Sequence, residues 1–500
     1  MSLERIRMKS LRDKVINAEE ACQIIKHGDV VGMSGFTRAG DAKALPQAIA
    51  DRARKEEFKI SLMTGASLAT ADKVMAEAGA IARRCPFQAD ATLRAGINNG
   101  SVMFIDQHLS KTADYIRAGN MPGIDVAVIE AVAITEDGGI VPSTSVGNSA
   151  LWGESAKKII VEVNEAQHPG LEGMHDCVSL APRGNRGPIG IISPRDRIGT
   201  PFIPVDPSRI AGIVLTNQGD NPAPVSPPDD ETRTMAGHLI EFLTNEVKKG
   251  RLQSHLMPLQ CGVGIIANAV MNGFAEGPFE RLVQWSEVLQ DSTFDLFDSG
   301  KLLFASGAAV MLGAKRGADL FANIETYRSR MILRPQEISN HPECVRRLGT
   351  IGVNTALEAD FYGNVNSTHV GGTHMMNGIG GSGDFARQGH LGVFVTKSLA
   401  KDGKISSIVP MVPHHDHPEH DVDLLITEVG LADLRGLAPR EKAKVVVENC
   451  VHPLYKDAAR DYLKEANARG GQTPHVLEKA FSWHLNFSQH GHMLGKQAAE

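Results

Sequence analysis

The sequence predicts an α/β protein made of two similar open domains, and three observations point there. Short Val/Ile-rich runs alternate with helix-like stretches, the pattern of a largely parallel sheet. Glycine supplies 50 of 500 residues while aromatics make up only 5%, which implies many tight loops at strand ends. The length exceeds what one hydrophobic core organises, and an apolar content of 42% is enough for more than one.

The elements follow in order. Asn17 is an expected N-cap with Glu20 three residues on, Gly28 an expected helix end, and "DVVGMSGF" a buried strand. The helix-like "ALPQAIADRARK" comes next, and "KISLMTGAS", "GSVMFID", "IDVAVIEAVAI", "KKIIVEVN" and "IAGIVLTN" read as further strands. The strands stop near Asn217, which assigns residues 1–219 to a first domain. "QGDNPAPVSPPDD" is the expected linker, from its prolines and acids. In "ETRTMAGHLIEFLTNEVKKG", Met235, Leu239, Ile240, Leu243 and Val247 fall on one helix face and Gly250 ends the helix, which opens a second domain at 230–500. That domain reads as a degenerate copy of the first. "SGF", "KALPQAIA" and "LMTGAS" find counterparts in "CGVG", "IIANAVMNGF" and "RLVQWSE", and "DVAVIEAVAITEDG" one in "DLLITEVGLADLRG".

Composition excludes several classes of partner. A net charge of −6, with both signs well mixed, leaves no basic footprint for nucleic acid. No run reaches the roughly 18 apolar residues of a membrane span, and the amino terminus lacks the apolar core of a secretory signal. The six cysteines form no C-x-x-C pair and read as free thiols of a reducing compartment. A cytoplasmic location is expected; a mitochondrial presequence is the weaker option because Glu4 and Asp13 interrupt it.

Gly378, Gly380 and Gly383 in "NGIGGSGDFARQG" have dinucleotide-site spacing, but the stretch before them is polar and glycine-broken, and "DFARQGH" looks too short for a crossover helix. The expectation is instead a backbone-lined ligand loop, since glycines let main-chain amides approach a substrate. Glu287 follows the strand "LVQW", near the glycine loop at Gly262 and Gly264, the arrangement of a carboxylate nucleophile beside backbone donors; the bland reading is a solvated residue or helix cap. In "PHHDHPEHD", His414, His417 and His420 suggest a metal only if helical, and Pro413 and Pro418 oppose that, so a polar cleft loop is expected and no metal. Asn340 in "RPQEISNHPE" and Glu428 in "ITEVGLADLRG" are weaker signals: a turn former and an ion-pair partner of Arg435 are the alternatives.

"SGFTRAGDAKALP", "LMTGAS", "GVGIIANAVM", "WSEVLQD", "RPQEISNHPE", "GNVNSTHVGG", "MNGIGGSGDFAR", "HDHPEHDVD" and "TEVGLADLRGL" run in register across nearly the whole chain. Together they resemble the acetyl-CoA hydrolase/transferase family of class I CoA-transferases, which includes succinyl-CoA:acetate and propionyl-CoA:succinate CoA-transferases. The resemblance implies two domains of the CoA-transferase fold, usually in a homodimer, with coenzyme A as substrate and no metal or prosthetic group. It implies ping-pong exchange between a short acyl-CoA and a small carboxylate, with Glu287 as the nucleophile that forms a glutamyl-CoA thioester. Glutamate suits that role because it ionises without a general base. A hydrolase, with water as acceptor, would use the same residue. The resemblance further implies an oxyanion hole from the amides of Val263 and Gly381, and a positioning role for Asn340. It places Glu428 near the acyl acceptor, and implies CoA contacts from Gly262, Val263, Gly264, Ile265, Ile266, Asn377, Gly381 and Lys401. Two departures stand out: Ile265 where many members have Asn, and Asn221 where acetate-using relatives commonly carry Arg within "DRNAP". The second predicts a pocket without a fixed cation, with carboxylates held by backbone donors and imidazoles.

Overall fold

The computed structural model describes residues 3–221 and 227–495; the middle of the proline-rich linker stretch, 222–226, lies outside the described residues. Strands β1 (Val30–Met33), β2 (Ile60–Met63), β3 (Ile81–Cys85), β4 (Met103–Phe104), β5 (Val126–Ile134), β6 (Ile140–Pro142), β7 (Lys158–Asn164) and β8 (Ile210–Thr216) form one sheet. Its order is β4-β3-β2-β1-β5-β7-β8, with β6 antiparallel on β5 and the other pairs parallel. All nine residues of β5 are buried, as a central parallel strand covered on both faces requires.

The second sheet repeats this plan. Strands β9 (Leu259–Cys261), β10 (Leu282–Trp285), β11 (Leu302–Gly307), β12 (Met331–Leu333), β13 (Ile351–Thr355), β14 (Leu391–Val395), β15 (Leu424–Ile426) and β16 (Leu431–Asp433) run in the order β12-β11-β10-β9-β13-β14-β15-β16. Only the last pair is antiparallel. The first strand of each copy lies mid-sheet and the next three step outward to one edge, so β1 matches β9, β2 matches β10 and β5 matches β13. This corrects one expected correspondence. "DVAVIEAVAI" is β5, whereas "DLLI" is β15 and occupies the place of β8.

Local expectations fare unevenly for identifiable reasons. Asn17 and Glu20 form the expected capping box on α1 (Ala18–Cys22), but the helix stops well before Gly28. Ile24 and Ile25 donate to the carbonyls three residues back, so the chain tightens and unwinds, and Gly28 (φ +86°) serves the turn into β1. The helix α2 (Leu45–Ala53) follows β1 as expected. β3 is a strand without an apolar pattern, because its "IARRC" carries two arginines; Arg84 is fully buried on Asp72, Nε to Oδ1 3.0 Å. Helix α3 (Asp230–Lys248), capped by Asp229, buries Met235, Leu239 and Leu243 completely and leaves Ile240 and Val247 half-buried. It packs on α4 (Ile265–Glu276), where Gly273 lets Ile240 approach. Among the described residues no helix is long and apolar enough to cross a membrane.

The first domain is tied together by a buried charge cluster. Lys43 Nζ lies 2.7 Å from Asp41, 2.8 Å from Asp220 and 3.3 Å from Glu130, and its side chain is only 4% exposed. Asp220, the last residue but one before the undescribed stretch, is thereby still bound into this domain. Removing the only ammonium of this cluster leaves three carboxylates facing one another, which typically costs about 3–5 kcal/mol. Lys43→Met is expected to lower the denaturant midpoint of the first domain accordingly, measured by equilibrium unfolding.

Candidate active site

The carboxyl ends of both sheets open on one cavity of about 640 Å³ between the domains. The first domain contributes the loops after β1, β2 and β3; the second contributes those after β9, β10 and β13, plus the glycine loop that includes residues 377–382. Ligands of open α/β sheets bind at such strand ends.

Glu287 lies there, just after β10. Its carbonyl accepts from the amides of Ala308 (2.6 Å) and Ala309 (3.1 Å), which fixes the backbone, and its carboxylate Oε1 accepts from Asn340 Nδ2 at 2.6 Å. Asn340 is fully buried and ends the short helix Gln336–Ser339. The same amide donates to Asp384 Oδ2 at 3.2 Å, and Asp384 also accepts from Ser110 Oγ (2.6 Å) and Ser110 N (3.1 Å) of the first domain. Burial pushes the Glu287 carboxyl up to about 7, with the nearby Asp384 adding to the rise and the Asn340 hydrogen bond opposing it. Asp384 is likewise raised by burial to about 7.

Two glycine loops flank the carboxylate. Gly264 (φ +122°) starts α4, so the amides of its first turn, from Ile265 and Ile266 on, lack intrahelical acceptors. Val263 is 45% exposed on the cavity wall, and Gln290 Nε2 holds the Gly262 carbonyl at 2.8 Å. On the other side Gly381 has no room for a side chain, since a Cβ would overlap both Glu287 Oε1 and Asn340 Nδ2. The Ile379 amide of this loop donates to Asp106 of the first domain at 2.9 and 3.0 Å. A seven-residue helix, α5 (Ser382–Gln388), does leave the glycines and leads into β14, contrary to the expectation that the segment is too short. A dinucleotide motif is still absent, because a two-residue hairpin strand (His374–Met375), not a sheet strand, precedes the loop.

The structure thus brings Glu287, Asn340, Gly262, Val263, Gly264, Ile265, Ile266, Asn377 and Gly381 together around one cavity or the helix start beside it. It does not bring Lys401 or Glu428 to the cavity wall. Lys401 stands in the turn of the hairpin Leu399–Ser406 with its ammonium 5.0 Å from the Phe487 ring centre. Glu428 accepts from Ser398 N (2.8 Å) and Ser398 Oγ, whereas Arg435 pairs with Asp433 and Glu246, so the alternative of a Glu428–Arg435 pair does not form.

Of the histidine run, His417 comes nearest the site. It is 1% exposed, lies tilted against Phe394 with ring centres 4.6 Å apart, and reaches Ser382 Oγ at 3.1 Å and Ser367 Oγ at 3.3 Å, two residues of the wall. Burial lowers it to about 4, so it is a neutral support behind the wall. His414 instead lies against His369 and Asp416. Asn221 is exposed and donates to Thr70 Oγ1 at 3.3 Å, outside the residues that line the cavity. A cation is present after all: Arg38 lines the wall, which corrects the expectation of a cation-free pocket. Asp384, Asp106 and Arg38 were not singled out from the sequence, although Asp384 and Arg38 lie inside the motifs quoted above.

A carboxylate at a strand end, one amide holding it, two glycine loops around it and a cleft between duplicated α/β halves make an arrangement that can present a carboxylate to a bound substrate beside main-chain amides. The family follows from comparison. Residues 2–215 match the acetyl-CoA hydrolase/transferase N-terminal domain and residues 317–463 its C-terminal domain. The chain is 49% identical over 494 residues to the succinyl-CoA:acetate CoA-transferase of Clostridium kluyveri, covering 98% of this chain and 92% of that protein. It is 44% identical to the acetyl-CoA hydrolase of Schizosaccharomyces pombe, covering 97% and 98%. A 4-hydroxybutyrate CoA-transferase from Porphyromonas gingivalis shares the fold, with a TM-score of 0.63 at 19% identity over 91% of this chain and 99% of that one. The protein belongs to the acetyl-CoA hydrolase/transferase family.

Gly381→Ala is expected to displace the Glu287 carboxylate from Asn340 and lower turnover at least about a hundredfold, the order lost when one preorganised contact of an active site goes. Steady-state rates beside an unchanged circular dichroism spectrum check this.

Proposed function

We propose that the protein transfers CoA between a short-chain acyl-CoA (acetyl, propionyl or succinyl) and a small carboxylate, through a glutamyl-CoA thioester on Glu287. The observation that carries this reading is the Glu287 carboxylate in the cavity wall, fixed by Asn340 and flanked by both glycine loops. Glu287 attacks the thioester carbonyl and expels CoA thiolate, giving a mixed anhydride. The thiolate then attacks the Glu287 carbonyl, releasing the acyl group as a carboxylate and leaving the enzyme thioester. An incoming carboxylate reverses the two steps, so no redox partner or net proton is needed.

Each tetrahedral intermediate carries an oxyanion, which this reading assigns to the Val263 and Gly381 amides; one such donor is typically worth about 3 kcal/mol of barrier. CoA would lie along Gly262–Ile266 and Asn377, with Lys401 at the far end of the ligand. A homodimer belongs to the same reading and is checked by light scattering. The homologues include a hydrolase, and water replacing the second carboxylate would make this enzyme one. CoA release that does not depend on added acetate, succinate or propionate would establish hydrolysis; acceptor-dependent formation of new acyl-CoA would establish transfer.

Incubation with acetyl-CoA and digestion is expected to give a CoA-mass adduct on the peptide containing Glu287; activity retained in Glu287→Ala would overturn the mechanism. The nucleophile must be ionised and its carboxyl titrates at about 7, so kcat/KM for acyl-CoA is expected to rise with pH and level off above that value. Asp384→Asn removes a like charge and is expected to move this limb to lower pH. The stability effect has the opposite sense. A carboxyl raised in the folded state favours folding most below its ordinary value of 4.5, and that contribution is lost as pH climbs through about 7.

A further inference from the structure

The wall opposite the glycine loops holds a turn whose conformation costs the protein free energy. Phe36 N donates to Ala39 O at 2.9 Å and Ala39 N to Phe36 O at 3.1 Å, closing a two-residue turn at Thr37 and Arg38. Both central residues have positive φ, +46° and +70°. Such turns are ordinarily built from Asn and Gly, and a β-branched threonine followed by an arginine is a strained choice. The same two residues also lack partners. Thr37 Oγ1 is buried without a hydrogen bond, and Arg38, half-buried, makes no ion pair within 4.0 Å with any described carboxylate.

The surrounding acids are all engaged elsewhere. Glu287 is held by Asn340, Asp90 caps the helix Ala91–Asn98, and Asp220 is taken by Lys43, Thr144 and Gln167. Among the described residues that line the main cavity, Arg38 is the only cation. It also lines a side pocket of about 190 Å³ that shares Arg38 and Met311 with the main cavity, so the residue stands at the seam between them.

We infer that the Thr37–Arg38 turn is the recognition element for the distal carboxylate of a dicarboxylic acyl group, and that it selects a succinyl-type substrate over acetyl. This rests on the function proposed above and adds the residue that sets acyl preference. The guanidinium offers the planar fork that fits a carboxylate. It arrives without having to break an existing ion pair. Strain retained at a turn that faces a ligand cavity, and that two commoner residues would relieve, is consistent with selection for the side chains it displays.

The test uses the full-length enzyme with succinyl-CoA and acetyl-CoA as donors, each with propionate as common acceptor. Arg38→Gly removes the cation and also suits the left-handed backbone, so the fold is expected to hold, with an unchanged or higher thermal midpoint. The ratio of kcat/KM for succinyl-CoA to that for acetyl-CoA is expected to fall by about ten- to a hundredfold, as loss of a charge-assisted hydrogen bond implies. Thr37→Val, which keeps the shape and removes only the buried hydroxyl, is expected to leave the ratio unchanged. Equal losses with both donors in Arg38→Gly would instead mark Arg38 as a partner of a CoA phosphate and overturn the inference; an unchanged ratio in Arg38→Gly would do so as well. If propionate is not an acceptor, CoA release from the two donors gives the same ratio, so failure of transfer and failure of this inference are read separately.

Discussion

A carboxylate that must be buried enough to react and still ionise is the constraint around which this cleft is arranged. Water is the best solvent for the charged form, and taking Glu287 out of it raises its carboxyl to about 7. A lysine or arginine at the Asn340 position would restore the charge but bind it in an ion pair. An amide orients the same oxygen at 2.6 Å without neutralising it. Sharing that amide with Asp384 weakens the help further, because a second carboxylate nearby disfavours ionisation. The result is a carboxyl set close to neutrality, which Gly381 leaves uncovered by having no side chain.

The duplication explains how such a site is assembled. Both sheets point their carboxyl ends at the same cavity, so equivalent loops of the two copies face one another. After β9 the loop runs "GVG" and starts α4, offering main-chain amides; after β1 the equivalent loop runs "GFTRAG" and places Thr37 and Arg38 on the cavity wall. After β10 comes Glu287, while after β2 the matching loop holds Gly65, where a Cβ would lie 2.6 Å from the Gly35 carbonyl. One copy carries the reactive group and the other the wall. The copies are locked together across the cleft by Asp384 on Ser110 and by Asp106 on Ile379, so the glycine loop depends on first-domain residues for its position.

Periodicity made much of this legible. Six of the eight first-domain strands fall within apolar runs that the sequence displays, and helix α3 displays its buried face in its spacing. β3 was hidden because its arginines imitate a solvent face, yet Arg84 is buried by an ion pair with Asp72, a long-range fact that no local pattern carries. The same limit applies at the site. Glu287 could be found because it follows a strand and sits in a recognisable motif, whereas Asp384 matters only through Asn340, 44 residues away in sequence. Asp106 matters only through Ile379, in the other domain. Arg38 went unremarked because its meaning lies in what it lacks, a partner, and in a backbone angle that composition does not show. The expected role of Asn221 failed for a related reason, since position in a motif does not establish reach into a cavity.

Transfer and hydrolysis differ in one respect that this arrangement makes local. Under the proposed mechanism both need the same glutamate, the same holding amide and the same glycine loops, all of which belong to the second domain. In that mechanism they part at the enzyme thioester, where either a carboxylate or water attacks, and the outcome depends on which of them the wall beside Glu287 admits. Part of that wall comes from the first domain, which supplies the apolar Phe36, Phe87 and Leu109 and the positive charge of Arg38. A carboxylate acceptor gains from a cation and from apolar surroundings that strengthen its pairing, while water gains from neither. On the proposed mechanism, the balance between transfer and hydrolysis therefore rests on the copy that lacks Glu287, through the wall it supplies.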